Sequence, residues 1–275
     1  MDVDLGQLSG PSSRGADQRP GLRGVYIESG AVEHLVDILE NYQNPVLLCD
    51  SHTRAAAEPY LEEEFKDYPI IELDPASAHA DDRTMKKVLQ QIGFCDRGCT
   101  AVCVDVLVAI GAGTIHDIAG CCAKEYRIDY IAIPTAANNS ALLSGRVKLT
   151  WEGKVKHVPA AEPTWILADT QILTKAPKEL TKAGLLTVKK TYRALKDGEL
   201  EKKISDEEFT DRSLKALRDV KRAKNDILAG DPEDMEKLEY ALLLCGIIHS
   251  IVHGGDKSGW SDPAMKKILD NPVNS

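Results

Sequence analysis

The stretch from Val104 to Asp117, which reads VDVLVAIGAGTIHD, constrains the fold more than any other part of the chain. Its first half is a short, apolar, β-branched run of the kind found in buried strands of parallel sheets. Gly111 and Gly113 end this strand. From Thr114 onward, apolar residues recur with helical spacing on one face, at Ile115, Ile118, Ala119 and Cys122. The stretch therefore predicts a strand, a glycine loop and the N-terminus of a helix.

A glycine loop at a helix N-terminus has a chemical use. The first amides of a helix lack internal partners and lie at the positive end of its dipole, and glycine lets a phosphate approach the backbone. The loop from Gly111 to Thr114 is therefore a candidate site for the pyrophosphate of a dinucleotide. GAGT is not the GxGxxG Rossmann fingerprint, however, and a tight strand-to-helix turn without a ligand explains it equally well.

The rest of the first half alternates predicted strands with predicted helices. Apolar runs indicate strands at 25–27, 45–49, 69–73 and 129–133, and helical periodicity indicates helices at 31–42, 55–65 and 82–92. Such alternation predicts a mostly parallel sheet with helices on both faces and ligands at the carboxyl ends of the strands. Asp50 ends one such strand. It is suited either to accept hydrogen bonds from a ribose or to cap the following helix at Ser51 or Thr53.

The pattern changes after residue 146. Alternating residues at 147–151 and 154–158 flank Glu152-Gly153 and predict a β-hairpin, and one more strand follows at 165–168. Helical patterns then cover 179–196, 206–229 and 234–253. The fold class is thus α/β, with a Rossmann-like, mostly parallel sheet and a β-hairpin, followed by an α-helical domain. We expect a disordered tail at 1–22, an α/β domain at 23–170 and a helical domain at 171–275, with the site in the cleft between the two domains.

Composition excludes several classes of partner. The net charge of −9 argues against nucleic acid or an anionic membrane as the main partner. No apolar run approaches the roughly 18 residues of a membrane span, and no signal peptide is recognisable, so we expect a cytoplasmic protein. The seven cysteines form no secreted framework and are expected to be reduced. Cys95, Cys99 and Cys103 are spaced by four, but Cys103 begins the buried strand, which disfavours a metal cluster.

Several segments occur in an order and spacing that resemble one family over about residues 24–260. They are IESGAVEHL, LLCDSHT, AHADDRT, GAGTIHDIAG, YIAIPTAANNSALLSG and ILADTQILTKAPKELTKAG. Together with the hairpin, they resemble the sn-glycerol-1-phosphate dehydrogenases, within the superfamily of iron-containing alcohol dehydrogenases, glycerol dehydrogenase and 3-dehydroquinate synthase. The resemblance implies a dehydroquinate synthase-like fold with a nicotinamide and a divalent metal (Zn, Ni or Fe) in the cleft between its two domains.

Residues carried over from the family fall into a matching half and a departing half. The resemblance implies contacts with NAD or NADP at Asp50, Gly111, Ala112, Gly113, Thr114, Asp117 and Thr135. Where the family has PTAPSxDG, this chain has Ser140, preceded by Asn139, in place of the acid. Where AGFGD supplies an aspartate ligand for the metal, it has Thr187. Ser140, Asn139 and Thr187 are the candidate catalytic residues.

The family's two histidine ligands are also unmatched. Its SGxEH segment corresponds to Ser258-Gly259-Trp260, and the helical domain is expected to be shortened, which would leave apolar helix faces for a second subunit to cover in a homo-oligomer. His249 and His253, spaced i and i+4 on an apolar helix, are a candidate metal pair. Alternatively they are a helix-end pair beside a Gly254 cap.

Two basic clusters have alternative interpretations. Arg146, Lys148, Lys154 and Lys156 alternate on the hairpin, which predicts a solubilising outer face. Lys189, Lys190 and Arg193 are suited to bind a phosphate only if their helix faces the cleft.

Three functions are consistent with these observations. The resemblance implies hydride transfer between a nicotinamide cofactor and a small polyol phosphate or related alcohol, with a metal lowering the pKa of the alcohol. The alternative is a regulatory dinucleotide-binding homologue that has lost the metal centre. The third is a lyase of the dehydroquinate-synthase type, which uses NAD transiently and also requires a metal.

Overall fold

The structure is a computed structural model that describes residues 22–61, 63–94, 104–198, 200, 203–204 and 206–253. The predicted tail at 1–22 lies outside these residues, except for Leu22. The cysteine spacing at Cys95, Cys99 and Cys103 also lies outside them. The backbone of His253 is described but its side chain is not.

The predicted parallel sheet is confirmed. The strands along the chain are β1 (Gly24–Glu28), β2 (Pro45–Asp50), β3 (Ile70–Leu73), β4 (Val106–Gly111), β5 (Asp129–Pro134), β6 (Arg146–Trp151), β7 (Lys154–Pro159) and β8 (Trp165–Asp169). Six of them form one sheet in the order β1-β8-β5-β4-β2-β3, and every neighbouring pair is parallel.

The strands β6 and β7 form the predicted hairpin. They are antiparallel, and Lys148 pairs with His157. Glu152 and Gly153 both have positive φ, 49° and 74°, as a two-residue hairpin turn of the favoured hand requires. Alternate residues of β6 lie in the core, at Val147, Leu149 and Trp151. The other face of β6, which carries Arg146 and Lys148, therefore points away from the core.

The helices are α1 (His34–Leu39), α2 (Ser51–Ala57), α3 (Asp82–Phe94), α4 (Gly113–Tyr126), α5 (Thr170–Leu173), α6 (Lys178–Lys196), α7 (Glu207–Arg222), α8 (Lys224–Ala229) and α9 (Pro232–His253). Single 3-10 turns occur at Ala31–Glu33, Glu58–Tyr60 and Glu63–Asp67. The helix predicted at 55–65 is wrong. The observed helix begins at Ser51, because the Asp50 side chain accepts hydrogen bonds from amides of its first turn. It ends at Ala57, and only 3-10 turns follow, because Pro59 cannot donate a backbone hydrogen bond to a continuing helix. The helix predicted at 206–229 is divided at Ala223.

The two faces of the sheet are covered by different helices. Val106, Val108 and Ile110 of β4 belong to the buried cluster that contains α1 and Ala57 of α2. Leu107 and Ala109, on the opposite face, belong to the cluster that contains α3 and α4. Because both faces are covered, β4 is apolar throughout rather than alternating.

The helical half packs directly on this core. Helix α9 contacts β1, α5, α6 and α7. Its buried residues join the same cluster as residues of the sheet and of the hairpin, for example Leu242, Leu48 and Trp151. The boundary predicted at residue 170 stays a prediction, since one buried cluster contains residues from both sides of it. No helix in the described ranges is long and apolar enough to cross a membrane.

Two glycines bring α6 and α9 into contact with the loop that follows β5. A Cβ atom on Gly184 of α6 would lie 2.1 Å from the carbonyl oxygen of Ala137. A Cβ atom on Gly246 of α9 would lie 2.5 Å from the carbonyl oxygen of Ser140. Both distances are shorter than any side chain tolerates, so only glycine permits these two helices to pack against the loop backbone at this spacing.

We predict that Gly246→Ala destabilises the protein by about 1–3 kcal/mol, because the new methyl group must push α9 away from the loop at Ser140. Urea denaturation measures this change. The control is Gly113→Ala, because a Cβ atom there would meet nothing within 4 Å. A Gly246→Ala variant as stable as the wild type would contradict the close contact.

Candidate active site

The carboxyl ends of β2 and β4 form a crevice. Leu48 pairs with Ala109, and both strands continue two residues further, so Asp50 and Gly111 end side by side. Helix α2 leaves β2 toward one face of the sheet, whereas α4 leaves β4 toward the other. Adjacent strands whose helices depart in opposite directions create the switch point at which open α/β sheets bind ligands.

The N-terminus of α4 lies at this crevice without a capping side chain. Its N-cap is Ala112, whose backbone is extended (φ −104°, ψ −163°). The methyl side chain of Ala112 cannot accept a hydrogen bond from the first amides of the helix. Helices α2, α5 and α7 are different, since aspartates cap them through side-chain hydrogen bonds, at Asp50, Asp169 and Asp206. The first amides of α4 are therefore open to an anion.

The two glycines of this loop have different roles. A Cβ atom on Gly111 would lie 2.5 Å from the Cβ of Ile115, so Gly111 allows the strand to pack closely on the helix. A Cβ atom on Gly113 would meet nothing within 4 Å, so Gly113 faces open space. This open space beside uncapped amides fits a phosphate group of a dinucleotide. Thr114 is half-buried in the first turn of the same helix.

Asp50 and Thr135 both have structural contacts. Oδ1 of Asp50 accepts from the amides of His52 (2.9 Å) and Thr53 (2.8 Å), so the capping role is confirmed. The contact of Asp50 with a ribose stays a prediction. Thr135 is buried, and its amide donates to the carbonyl of Gly111 at 2.8 Å, which ties the loop after β5 to the glycine loop. Its contact with a cofactor also stays a prediction.

A cavity of about 580 Å³ lies beside the crevice, between the loop after β5, the hairpin, α6 and α9. Each helix contributes one stripe with the spacing i, i+3, i+4 and i+7. Helix α6 contributes Thr187, Lys190, Thr191 and Ala194, and α9 contributes Cys245, Ile248, His249 and Val252. Asp117, one turn into α4, lines the cavity as well, so the cavity adjoins the helix whose N-terminus carries the glycine loop.

The three candidate catalytic residues lie together in this cavity. Asn139 and Ser140 line it from the loop, and Thr187 lines it from α6. Oδ1 of Asn139 accepts from the amide of Ala141 at 2.7 Å, whereas its Nδ2 is buried without a hydrogen-bond partner. The hydroxyl of Thr187 donates to the carbonyl of Ala183 at 3.2 Å. The Asn139 amide therefore presents a donor that needs a partner.

The cavity is rich in basic side chains. Arg146 and Lys148 line it from the hairpin, and Lys190 lines it from α6. The face of β6 opposite the core, which was predicted to be a solubilising outer face, lines the cavity at Arg146 and Lys148, and Lys148 is also exposed. Lys154, Lys156, Lys189 and Arg193 are not among its lining residues. Among the described lining residues, Asp117 is the only carboxylate, and burial raises its pKa to about 7.

The described donors around this cavity do not fit a divalent metal. His249 lines it, and its ring centroid lies 6.4 Å from that of His157. Burial raises the pKa of the Cys245 thiol to about 12, so this sulfur stays protonated and is a poor ligand. Within the described part of the chain, no group of three or more His, Cys, Asp or Glu residues is arranged to hold a metal ion. The pair of His249 and His253 stays a prediction.

Sequence reasoning missed four residues that shape the site. Gly184 and Gly246 set the distance between the helices and the loop, and Arg146 and Lys148 charge the cavity wall. The glycines were detectable in principle, because glycine within a helical pattern indicates close packing. The orientation of the hairpin was not, because alternation shows that two faces differ but not which neighbour each face meets.

Comparisons with known proteins agree with this geometry. A family model described as iron-containing alcohol dehydrogenase matches residues 26–177, which is more than half of the chain. A Bacillus velezensis protein named glycerol-1-phosphate dehydrogenase (NAD(P)+) is 27% identical over 281 residues, covering 94% of this chain and 69% of that protein. A Geobacillus stearothermophilus protein of the same name is 31% identical over 222 residues, covering 76% of this chain and 52% of that protein. The chain thus spans between about half and two thirds of these relatives.

The fold has solved counterparts. The crystal structure of glycerol dehydrogenase from Schizosaccharomyces pombe superposes with a TM-score of 0.64 at 16% identity, covering 86% of this chain and 63% of that one. At this level of identity the likeness concerns the fold alone.

We predict that Asp117→Asn changes how stability depends on pH. Unfolded aspartate has a pKa near 3.9, so between about pH 4 and pH 7 the folded protein holds a proton that the unfolded chain has released. On account of this group, the wild type should lose stability as the pH rises through that window, by at most about 1.4 kcal/mol per pH unit. The asparagine side chain cannot titrate, so the free energy of unfolding of the variant should rise relative to that of the wild type from pH 5 to pH 7.

Denaturant unfolding at both pH values measures this gain. The control is Asp211→Asn, on the exposed side of α7. A difference between Asp117→Asn and the wild type that is the same at pH 5 and pH 7 would contradict the raised pKa.

Proposed function

Because the chain belongs to the iron-containing alcohol dehydrogenase family, we propose that it is an NAD(P)-dependent oxidoreductase that transfers a hydride between the nicotinamide and a small polyol phosphate. The observation that carries this proposal is the adjacency of two features. The uncapped N-terminus of α4, with Gly113 facing open space, adjoins a basic cavity of about 580 Å³. The names of the relatives, glycerol-1-phosphate dehydrogenase, suggest the substrate class.

In this proposal the crevice holds the dinucleotide. The first amides of α4 and the space beside Gly113 would hold its pyrophosphate, and Asp50, whose Oδ1 caps α2, would use its second oxygen toward the ribose. Ala112 and Thr114 would contribute backbone contacts. The bound cofactor would supply the hydride acceptor, either NAD or NADP. The α/β part at 23–170 would thus bind the cofactor, and the helical part would close the cavity.

The chain itself must accept a proton, because oxidation of an alcohol releases one in addition to the hydride. Asp117 is suited to take it, since it lines the cavity and burial raises its pKa to about 7. A group with this pKa exchanges protons readily in both directions near neutral pH. Asn139 and Ser140 would orient the hydroxyl or carbonyl oxygen of the substrate, with the unpartnered Nδ2 of Asn139 as the donor.

A regulatory dinucleotide-binding protein is the second candidate. It is favoured by the departures at Ser140 and Thr187 and by the poor fit of the described donors to a metal. A lyase of the dehydroquinate-synthase type meets the same objection as a metal-dependent dehydrogenase. A cytoplasmic location and a homo-oligomer remain part of the proposal, and light scattering would measure the oligomeric state.

We predict that Gly113→Asp weakens dinucleotide binding at least about tenfold, because its carboxylate would repel the pyrophosphate at the N-terminus of α4. Titration of NADH and NADPH, followed by nicotinamide fluorescence, measures the Kd. The Gly113→Ala variant, whose methyl group occupies the same space without a charge, should lose less affinity for the dinucleotide. Equal affinity in Gly113→Asp and the wild type would contradict the proposed cofactor site.

Turnover separates the two candidate functions. Purified protein is mixed with NAD+ or NADP+ and glycerol 1-phosphate, and formation of the reduced nicotinamide is followed by absorbance. The proposal expects turnover that Asp117→Asn reduces by about 10²-fold or more, the usual contribution of an acid–base residue. Dinucleotide binding with no turnover under any tested divalent cation would instead support the regulatory protein.

A further inference from the structure

A groove of about 480 Å³ lies along a different face of α6 from the one that lines the cavity. Helix α6 contributes a stripe with the spacing i, i+3, i+4 and i+7, formed by Lys182, Leu185, Leu186 and Lys189. The end of α7 and the start of α8 form the other wall of the groove. The groove shares no lining residue with the cavity, so the proposed function does not account for it.

The floor of this groove is apolar and partly open to solvent. Leu185, Val188 and Val220 are buried, whereas Leu186 is 50% exposed. Among the large apolar side chains in the described ranges, Leu186 and Val155 of the hairpin are the exposed ones. An exposed leucine on its own requires no explanation. One that lies in an apolar groove between helices indicates a surface that another chain can cover.

Four lysines surround this apolar floor. Lys182 and Lys189 belong to α6, and Lys221 and Lys224 belong to the opposite wall; all four are exposed. No described lining residue of the groove carries a carboxylate. Lys189 and Lys224 form no ion pair with any residue that the structure describes. Lys182 has a contact of 3.7 Å with Glu179. The groove therefore has a positive rim on a chain whose net charge is −9.

A positive rim around an apolar floor is complementary to an acidic amphipathic helix. Grooves of this kind bind helices whose apolar anchors recur at i, i+3, i+4 and i+7. The stripe of α6 extends over two turns, about 10 Å, which is the length of one such set of anchors. Carboxylates on the flanks of the bound helix would lie beside the lysines, where charge complementarity favours the correct partner and speeds association.

Charge argues against other occupants of the groove. A two-fold symmetric contact between two copies of this chain would bring the same four lysines face to face, which is electrostatically unfavourable. An anionic membrane or a nucleic acid carries the required sign of charge, but it is an extended polyanion that the net charge of −9 repels. A short acidic helix, in contrast, contacts only the groove and its rim.

We propose that this groove docks an acidic amphipathic helix of a partner protein. Apolar side chains of that helix cover Leu186 and contact Leu185 and Val220, and its carboxylates lie beside Lys189 and Lys224. This interaction surface is separate from the cavity, so the inference does not depend on the proposed oxidoreductase activity.

The probe is a fluorescently labelled synthetic peptide of about 20 residues, long enough to form a helix, built from alanine, glutamate and leucine with the leucines on one face. Fluorescence anisotropy measures its Kd for the full chain. One control peptide has the same composition in a scrambled order that disperses the leucines, and another has lysine in place of glutamate. We expect the probe to bind at least about tenfold more tightly than either control.

Matched variants test where the probe binds. Leu186→Glu and Lys189→Glu place a negative charge in the groove, so each should raise the Kd of the probe about tenfold or more. The controls are Val155→Glu and Lys154→Glu, the same changes at exposed hairpin positions outside the groove. These should alter the Kd less than about twofold. All four positions are exposed, and urea denaturation checks that each variant is folded.

Several results would overturn this assignment. Equal affinity for the probe and the scrambled peptide would show that the leucine stripe is not recognised, and equal affinity for the lysine peptide would show that the rim charge is not used. Equal effects of Leu186→Glu and Val155→Glu would place binding outside the groove. Light scattering tests the contact between copies, since self-association that Leu186→Glu abolishes would make the groove a subunit interface. Binding to anionic lipid vesicles in place of the probe would assign it to a membrane.

Discussion

The contact between the loop after β5 and the backbones of α6 and α9 determines where every other part of the site lies. Gly184 and Gly246 allow carbonyl groups of this loop to lie where a Cβ atom would otherwise be. On the other side, the amide of Thr135 bonds to the carbonyl of Gly111, so the same loop is fixed to the glycine loop. A single short segment therefore connects the candidate phosphate site at α4 with both helical walls of the cavity.

The cavity wall carries a local charge opposite in sign to the net charge of the whole molecule. The net charge of −9 repels anions at long range, yet within about 8 Å, the screening length of physiological salt, the nearby basic side chains of the cavity wall have the larger effect. In the proposed function, an anionic substrate would therefore be attracted by the cavity wall rather than by the protein surface as a whole. The adjoining N-terminus of α4 adds a second positive potential, from backbone dipoles rather than from side chains.

Much of the fold was predictable because local rules and tertiary packing agree. The apolar run of β4, the glycine loop and the Glu152-Gly153 turn each have one plausible structure, and each was confirmed. Where two local rules competed, as at Asp50, the sequence left cap and ligand open, and the hydrogen bonds to His52 and Thr53 show the cap. The grouping of Asn139, Ser140 and Thr187 in one cavity followed from the family resemblance. The contribution of Arg146 and Lys148 depended on which face of the hairpin lines the cavity, which no local pattern specifies.

The departures from the family pattern and the basic cavity wall have one electrostatic explanation. A carboxylate that binds a metal carries negative charge, which the cation balances. Where that carboxylate is replaced by the hydroxyl of Thr187, a metal loses its counter-charge, and a phosphate no longer meets a repelling anion. Arg146, Lys148 and Lys190 add positive charge to the wall of the same cavity. The hydroxyl at this position and the basic residues of the wall therefore act in the same direction, since each makes the potential in the cavity more positive and less suited to a divalent metal.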